Sequence, residues 1–200
     1  MEQTSFAIAA AAVILTAGTA LAQFGPGGYG AGGPRGNAGG QACCLATPSE
    51  PATAEEARWL AYMREEEKLA RDVYEQLAAK WDLRLFRNIA RSEQRHFEAV
   101  GTLLARYGVK DPAADMAPGI FTDQNLAALY GQLLTKGMVS LKDALEVGVA
   151  IEKADIADLE TSLKATSKTD IKTVLTNLLT GSLSHQEAFE YNLEVLAAAR

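Results

Sequence analysis

The sequence has little of what several function classes require. Past Thr53 it has almost no strand signal, which excludes a sheet-based fold for that part of the chain. It holds two cysteines, Cys43 and Cys44, side by side. Adjacent cysteines bridge each other only with strain, and two thiolates do not make a structural zinc site. They read as exposed thiols, or as an intermolecular disulfide in an oxidising compartment. Cations are scarce: 19 Lys and Arg face 25 acids, for a formal net charge of −6. Nucleic-acid binding relies on clustered cations, so no nucleic-acid partner is expected. The one basic stripe, Arg84, Arg87, Arg91 and Arg95, reads as a solvated helix face close to acids such as Glu98. What the chain does have is length and apolar content, 200 residues at 48% hydrophobic, enough for one domain with a real core and an extra segment.

The extra segment is at the start. Phe6 to Ala22 is apolar and built of small residues, and it ends in Ala20-Leu21-Ala22 before Gln23. That is the pattern of a signal peptide over residues 1–22, although its first part carries Glu2 and no Lys or Arg. Cleavage would place the protein outside the cytoplasm, periplasmic or secreted, starting at Gln23; an uncleaved leader would be an N-terminal membrane anchor. Residues 23–53, rich in Gly, Pro and Ala, cannot bury enough apolar surface to offset their ordering entropy, and read as a flexible tether.

Residues 54–200 are helical in pattern. Helices are expected over about 55–81, 83–107, 140–165 and 168–198, the last interrupted or bent at Gly181. Ser140 is a good N-cap. Gly108, Asp111-Pro112 and Pro118-Gly119 break the chain between the second and third long helices, and a short helix over about 123–136 lies in that connection. A short link, a long link and a short link make an antiparallel four-helix bundle with one long crossover.

Bundle helices bury residues that recur at steps of three and four. The first helix offers Leu60, Met63, Glu67, Ala70, Tyr74, Leu77 and Trp81. Three adjacent glutamates, 65 to 67, point about 100° apart on a helix, so they cannot all face inward. Glu67 is on the stripe and Glu66 on its flank. Glu65 falls on the opposite face with Arg58 and Lys68, where solvent is expected. The second helix offers Phe86, Ile89, Glu93, His96, Val100 and Leu103. The third offers Leu145, Gly148, Glu152, Asp155 and Leu159, and the fourth Ile171, Leu178, Ser182, His185 and Phe189. Every stripe is apolar, then polar at mid-helix, then apolar. Heights measured from the two tight turns agree, so Glu67, Glu93, His96, Glu152, Asp155 and His185 meet in one slab. Tyr74 reads as core packing beside it.

Unpaired buried carboxylates repel one another and are costly to desolvate. No stripe supplies a Lys or Arg. Two divalent ions would balance the four carboxylates, with both imidazoles as further ligands.

On these residues the chain resembles known proteins. Glu67, Ala70 and Tyr74 resemble the first-helix motif of rubrerythrin-type proteins. Glu93 and His96 match the Glu-x-x-His of ferritin-like second helices, and Glu152 with Asp155 resembles the paired acids of the rubrerythrin third helix. The runs MREEEKLARDVY, SEQRH and GSLSH look like a prokaryotic ferritin-like family known mainly as a domain of unknown function. The resemblance spans about Ala54 to Ala198. It implies an all-α, ferritin-like four-helix bundle holding a dinuclear metal centre. The usual fourth-helix Glu-x-x-His is here Ser182 and His185, with Asp155 as the replacement carboxylate and Ser182 marking an open coordination position. The Cys-x-x-Cys knuckles of a rubredoxin-like module are absent.

Oxygen-rich mixed ligands suit two Fe ions, with manganese or a mixed pair as alternatives. The expected activity is oxidoreductase chemistry of a di-iron peroxidase or ferroxidase type. Its partners are O2 or peroxide and an electron donor of unknown identity, and a homodimer is one expected assembly. Metal storage without turnover and a structural bundle with a vestigial site are the competing readings.

Overall fold

The computed structural model describes residue 48 and residues 50–199. The leader 1–22, the tether as far as residue 47, and Cys43 with Cys44 lie outside the described residues. Those described form five α-helices and no strand: α1 (Ala54–Trp81), α2 (Arg84–Arg106), α3 (Gln124–Gly137), α4 (Leu141–Ala165) and α5 (Thr169–Ala198). No boundary differs from the sequence expectation by more than one residue. None of the described helices is long and apolar enough to cross a membrane.

The ends are written in local chemistry. Thr53 and Glu56 cap α1 reciprocally: Glu56 N donates to Thr53 Oγ1 at 3.1 Å and Thr53 N to Glu56 Oε2 at 2.8 Å. Asp82 stops α1 in a left-handed conformation, φ 51°, with its N–H on Ala78 O. The following link is so short that α2 must run back along α1. Ser140 caps α4 as expected, accepting from Asp143 N at 3.1 Å. Glu56 does double duty: the Thr166 hydroxyl and Lys168 Nζ both donate to it, at 2.6 and 2.7 Å, fixing the α4–α5 link against the start of α1.

The four long helices pack in the ring α1–α2–α5–α4, and α3 lies outside it against α1 and α4. At one end the core is aliphatic, built on Leu60, Met63, Leu103, Leu104, Ile171 and Leu178 around Trp59. At the other, Tyr74, Phe86 and Phe189 pack as a trio with ring centroids 5.2–6.3 Å apart. The polar slab lies between these layers. α5 runs unbroken through Gly181, so this glycine does not interrupt the helix as the sequence suggested.

A second expectation is corrected on α1. Glu65 is 3% exposed and Lys68 fully buried, although both were placed on a solvated face. The crossover covers that face. Glu65 accepts from the N–H groups of Thr122 and Asp123, the latter at 3.1 Å, and so ties down the start of α3. Lys68 Nζ donates to Asp72 Oδ2 at 2.6 Å and to Ala117 O at 2.8 Å, and Gly119 N donates to Asp72 at 2.8 Å. Arg64 pairs with Asp111 at 3.0 Å. The outer face of α1 is polar because its partners are the crossover's backbone amides, carbonyls and Asp111. The stripe Arg84, Arg91 and Arg95 is exposed as expected, and Arg87 bonds Asp82 at the turn.

Candidate metal centre

Each helix of the ring delivers its polar residues to the slab at the height the stripes imply. Glu67, Glu93 and Glu152 are 2%, 2% and 1% exposed, and the two imidazoles are nearly so well covered. Glu67, Glu93 and His96 bring three ligand atoms within 4.8 Å of one another, and Glu93, Glu152 and His185 do the same. Glu93 belongs to both sets. His96 Nδ1 is 2.8 Å from Glu93 Oε2 and 3.4 Å from Glu67 Oε2. His185 Nδ1 is 2.7 Å from Glu93 Oε1 and 3.6 Å from Glu152 Oε2. The rings stack at 5.6 Å.

These short distances are not well-formed hydrogen bonds. Nδ1 of both histidines, Glu93 Oε1 and Glu67 Oε1 are buried with no aligned partner. Buried ligand atoms this close, with no partner of their own, form groups that could hold a cation. These two sets, each of carboxylate oxygens and one imidazole nitrogen and both including Glu93, could hold a metal ion.

The family profile described as an uncharacterized protein domain (DUF2202) matches residues 56–198. The chain belongs to this family. Uncharacterized protein MJ0754 of Methanocaldococcus jannaschii is 49% identical over 142 residues, 71% of this chain and 77% of that protein. The crystal structure of hypothetical protein MJ0754 from the same archaeon, there called Methanococcus jannaschii, is similar with a TM-score of 0.73 at 47% identity. That likeness covers 75% of this chain and 86% of the other. Both triads of this DUF2202 chain lie inside the matched span.

Without metal the slab must hold protons instead. Burial would lower both imidazoles, but neighbouring carboxylates outweigh it. Glu67 and Glu93 push His96 up to about 11, and Glu152 and Glu93 push His185 up to about 9. Burial would raise Glu93, yet the two imidazoliums beside it hold it down at about 2. Burial dominates at Glu152 and at Asp155, each raised to about 7, and at Glu67, raised well above the carboxylate range. The metal-free slab thus favours a charged Glu93 between two imidazoliums and shifts the carboxyls of Glu67, Glu152 and Asp155 toward their neutral forms.

Of the six residues chosen from the sequence, five fall in the two triads. Asp155 stands beside them: its Oδ2 accepts from the Ser182 hydroxyl at 2.6 Å, and its Oδ1 is buried without a donor. Ser182 is itself fully buried. Tyr74 is more than packing. Its hydroxyl donates to Glu152 Oε1 at 2.6 Å, and burial, with the Glu152 charge, keeps it a phenol far above pH 10.

Gly181 has a role its sequence position did not reveal. A Cβ there would sit 2.6 Å from His96 Nε2. Alanine at a mid-helix glycine ordinarily stabilises by about 1 kcal/mol. Here the ring must retreat and drag Nδ1 off Glu67 and Glu93. Gly181→Ala is therefore expected to lower Tm and to weaken the Glu67–Glu93–His96 half alone by about 10–100-fold, as disturbed ligand orientation does. Calorimetry with a metal titration checks it; a raised Tm with unchanged affinity would sink this account of the glycine.

Proposed function

We propose that this DUF2202 protein is a ferritin-like, exported protein, periplasmic or secreted, that binds a dinuclear iron centre and carries out redox chemistry with O2 or peroxide. One observation carries the reading: Glu93 is shared by two buried triads, each completed by a second carboxylate and an imidazole. A carboxylate shared by two such sets would suit a pair of like ions better than any single-ion function. Manganese or a mixed pair would meet the same ligands. Iron, when bound, would supply electron transfer to an oxidant. The chain supplies the rest. Glu67 and Glu152 hold the two outer flanks, Tyr74 orients Glu152 through its hydroxyl, and the aliphatic and aromatic layers keep bulk water from the slab. Asp155 and Ser182 place a protonatable carboxyl within reach of both triads, where a proton can be held or released.

The test is metal analysis of protein taken from its native compartment, followed by an anaerobic Fe²⁺ titration and addition of peroxide. Two ions per chain and rapid oxidation are expected. Two ions without oxidation would leave a storage protein, and no stoichiometric metal would leave a structural bundle.

A pH dependence follows. From pH 5 to 9 the metal-free fold holds protons on Glu152, Asp155, His185 and His96 that an unfolded chain releases earlier. Stability then falls as pH rises, by about 1.4 kcal/mol per pH unit for each extra proton held. Glu93 acts in the opposite sense only in acid, where its contribution is lost as pH drops from its unfolded value, near 4.5, towards about 2. Metal displaces the protons, so its affinity rises with pH. The Tm of chelator-stripped protein is expected to drop between pH 5 and 8.5, and that of Mn²⁺-loaded protein to hold or rise. A stripped protein that gains stability across that range would contradict the protonated slab.

A further inference from the structure

Four seams run between the long helices of the ring. Two lie inside antiparallel hairpins, α1 with α2 and α4 with α5. α3 covers the third, between α1 and α4, and is tied to α1 at both ends, by Asp123 N on Glu65 Oε2 at 3.1 Å and by Trp81 Nε1 on Gly137 O at 2.9 Å. The fourth, between α2 and α5, has no covering element among the described residues. Its walls carry the two imidazoles, and these are the ligands nearest to solvent: the side chains of His96 and His185 are 11% and 12% exposed, against 2% for Glu67, Glu93 and Glu152. Both rings turn one edge to the same point of α5. A Cβ on Gly181 would lie 2.8 Å from His96 Cε1 and 3.9 Å from His185 Cε1. Each Cε1 is bonded to the Nδ1 that lies beside Glu93 and has no partner of its own. From Gly181 the way to both triads is therefore one ring edge long. Steps of three and four along the helices bring Ser92 and Ala99 of α2, and Ser184 and Ala188 of α5, to the same stretch. All are small; Ser184 is exposed and the others half-buried.

We propose that the α2/α5 seam at Gly181 is the door by which a small uncharged oxidant, O2 or hydrogen peroxide, reaches the centre, and that Ser184 and Ala188 set the size it admits. This rests on the dinuclear redox reading. The charge along the seam suits such a species. Arg95 stands at its rim and donates to Ser92 Oγ at 3.2 Å, while Glu98 is turned to the α1 side, where it accepts from Gln94 beside Arg71. A rim without a free carboxylate does not concentrate cations, so the field there does not favour metal ions over a neutral molecule. Further along, Asp170 clamps the seam by accepting from Arg106 and Tyr107 at 2.6 and 2.7 Å. The door is therefore a short stretch and not the whole groove.

Dissolved O2 is the first probe, used on metal-free protein, because it is paramagnetic and speeds the relaxation of protons it approaches. The chain has two histidines, His96 and His185, so their Hε1 signals report on this point alone. Ser184→Trp and Ala188→Leu add bulk at the door. Leu183→Trp adds it one residue away, about 100° round the helix, at a side chain 46% exposed. Circular dichroism checks all three folds. Ser184→Trp and Ala188→Leu should cut the O2 effect on Hε1 at least twofold and leave that on the Phe86 ring protons unchanged; Leu183→Trp should change neither. Stopped-flow oxidation of Fe²⁺-loaded protein is the second readout. Hydrogen peroxide should outrun tert-butyl hydroperoxide in the wild type, and the two door variants should slow hydrogen peroxide about tenfold, as obstructed access does, with iron content unchanged. Wild-type relaxation and oxidation in both door variants overturn the proposal and leave the dinuclear centre standing. An equal loss in Leu183→Trp overturns it too, because the effect would then not belong to this seam. A wild type that binds no iron overturns the dinuclear reading, and the door's role with it.

Discussion

On the proposed dinuclear reading, Glu93→Ala is expected to bring the metal content from two ions per chain to none, while the far-ultraviolet dichroism stays that of a helical bundle. Glu93 is the one residue in both triads, with one carboxyl oxygen 2.8 Å from His96 Nδ1 and the other 2.7 Å from His185 Nδ1. Its removal leaves each half with one carboxylate and one imidazole, too few to compete with water. The fold should survive because the slab is flanked by apolar layers on both sides, Trp59 and its neighbours at one end and Phe86 with Phe189 at the other. Glu67→Ala and Glu152→Ala supply the contrast. Each touches one triad, so each should lose one ion and keep the other. Elemental analysis after gel filtration reads all three. A Glu93→Ala protein that keeps one ion would mean the halves do not share a ligand.

Asp72→Ala is expected to be the most destabilising single change away from the centre. Asp72 and Lys68 are both fully buried, and Asp72 also accepts from Gly119 N and from Arg71 at 2.7–3.0 Å. Truncating it strands an ammonium group in the core and leaves a crossover amide unpaired. Breaking a buried pair in this way costs about 3–5 kcal/mol, which is on the order of 10 °C in Tm for a chain of this size. Arg87→Gln breaks a pair of nearly equal length, 2.6 Å to Asp82, but with both partners well exposed. It should change stability by about 1 kcal/mol or less. Similar losses from the two variants would show that the crossover does not seal α1.

Periodicity alone carried a good deal of this molecule. The five helices, the cap at Ser140, the tight turn at Asp82 and the mid-helix height of Glu67, Glu93, His96, Glu152 and His185 all follow from local rules. Such rules work here because each concerns residues within about two turns of each other, where backbone geometry fixes which side chains share a face. Counting charge then pointed to cations, because buried acids without lysine or arginine have few other remedies.

The outer face of α1 was not legible in that way. Helical periodicity presumes one buried stripe and one wet side, and Glu65, Lys68 and Asp72 look like the wet side. They are buried because residues 111–123, far along the chain, fold over them and offer amides and carbonyls as partners. Gly181 looked like a helix breaker until the ring of His96, 85 positions away, was seen to fill the space its side chain would need. Glu66 read as a flank residue beside the stripe, and it is buried. Sequence determined which residues each helix offers and at what height. Only the packing of one segment on another decided which polar groups find partners and which, like the two Nδ1 atoms, do not, because desolvation and pairing depend on every neighbour and not on the helix alone.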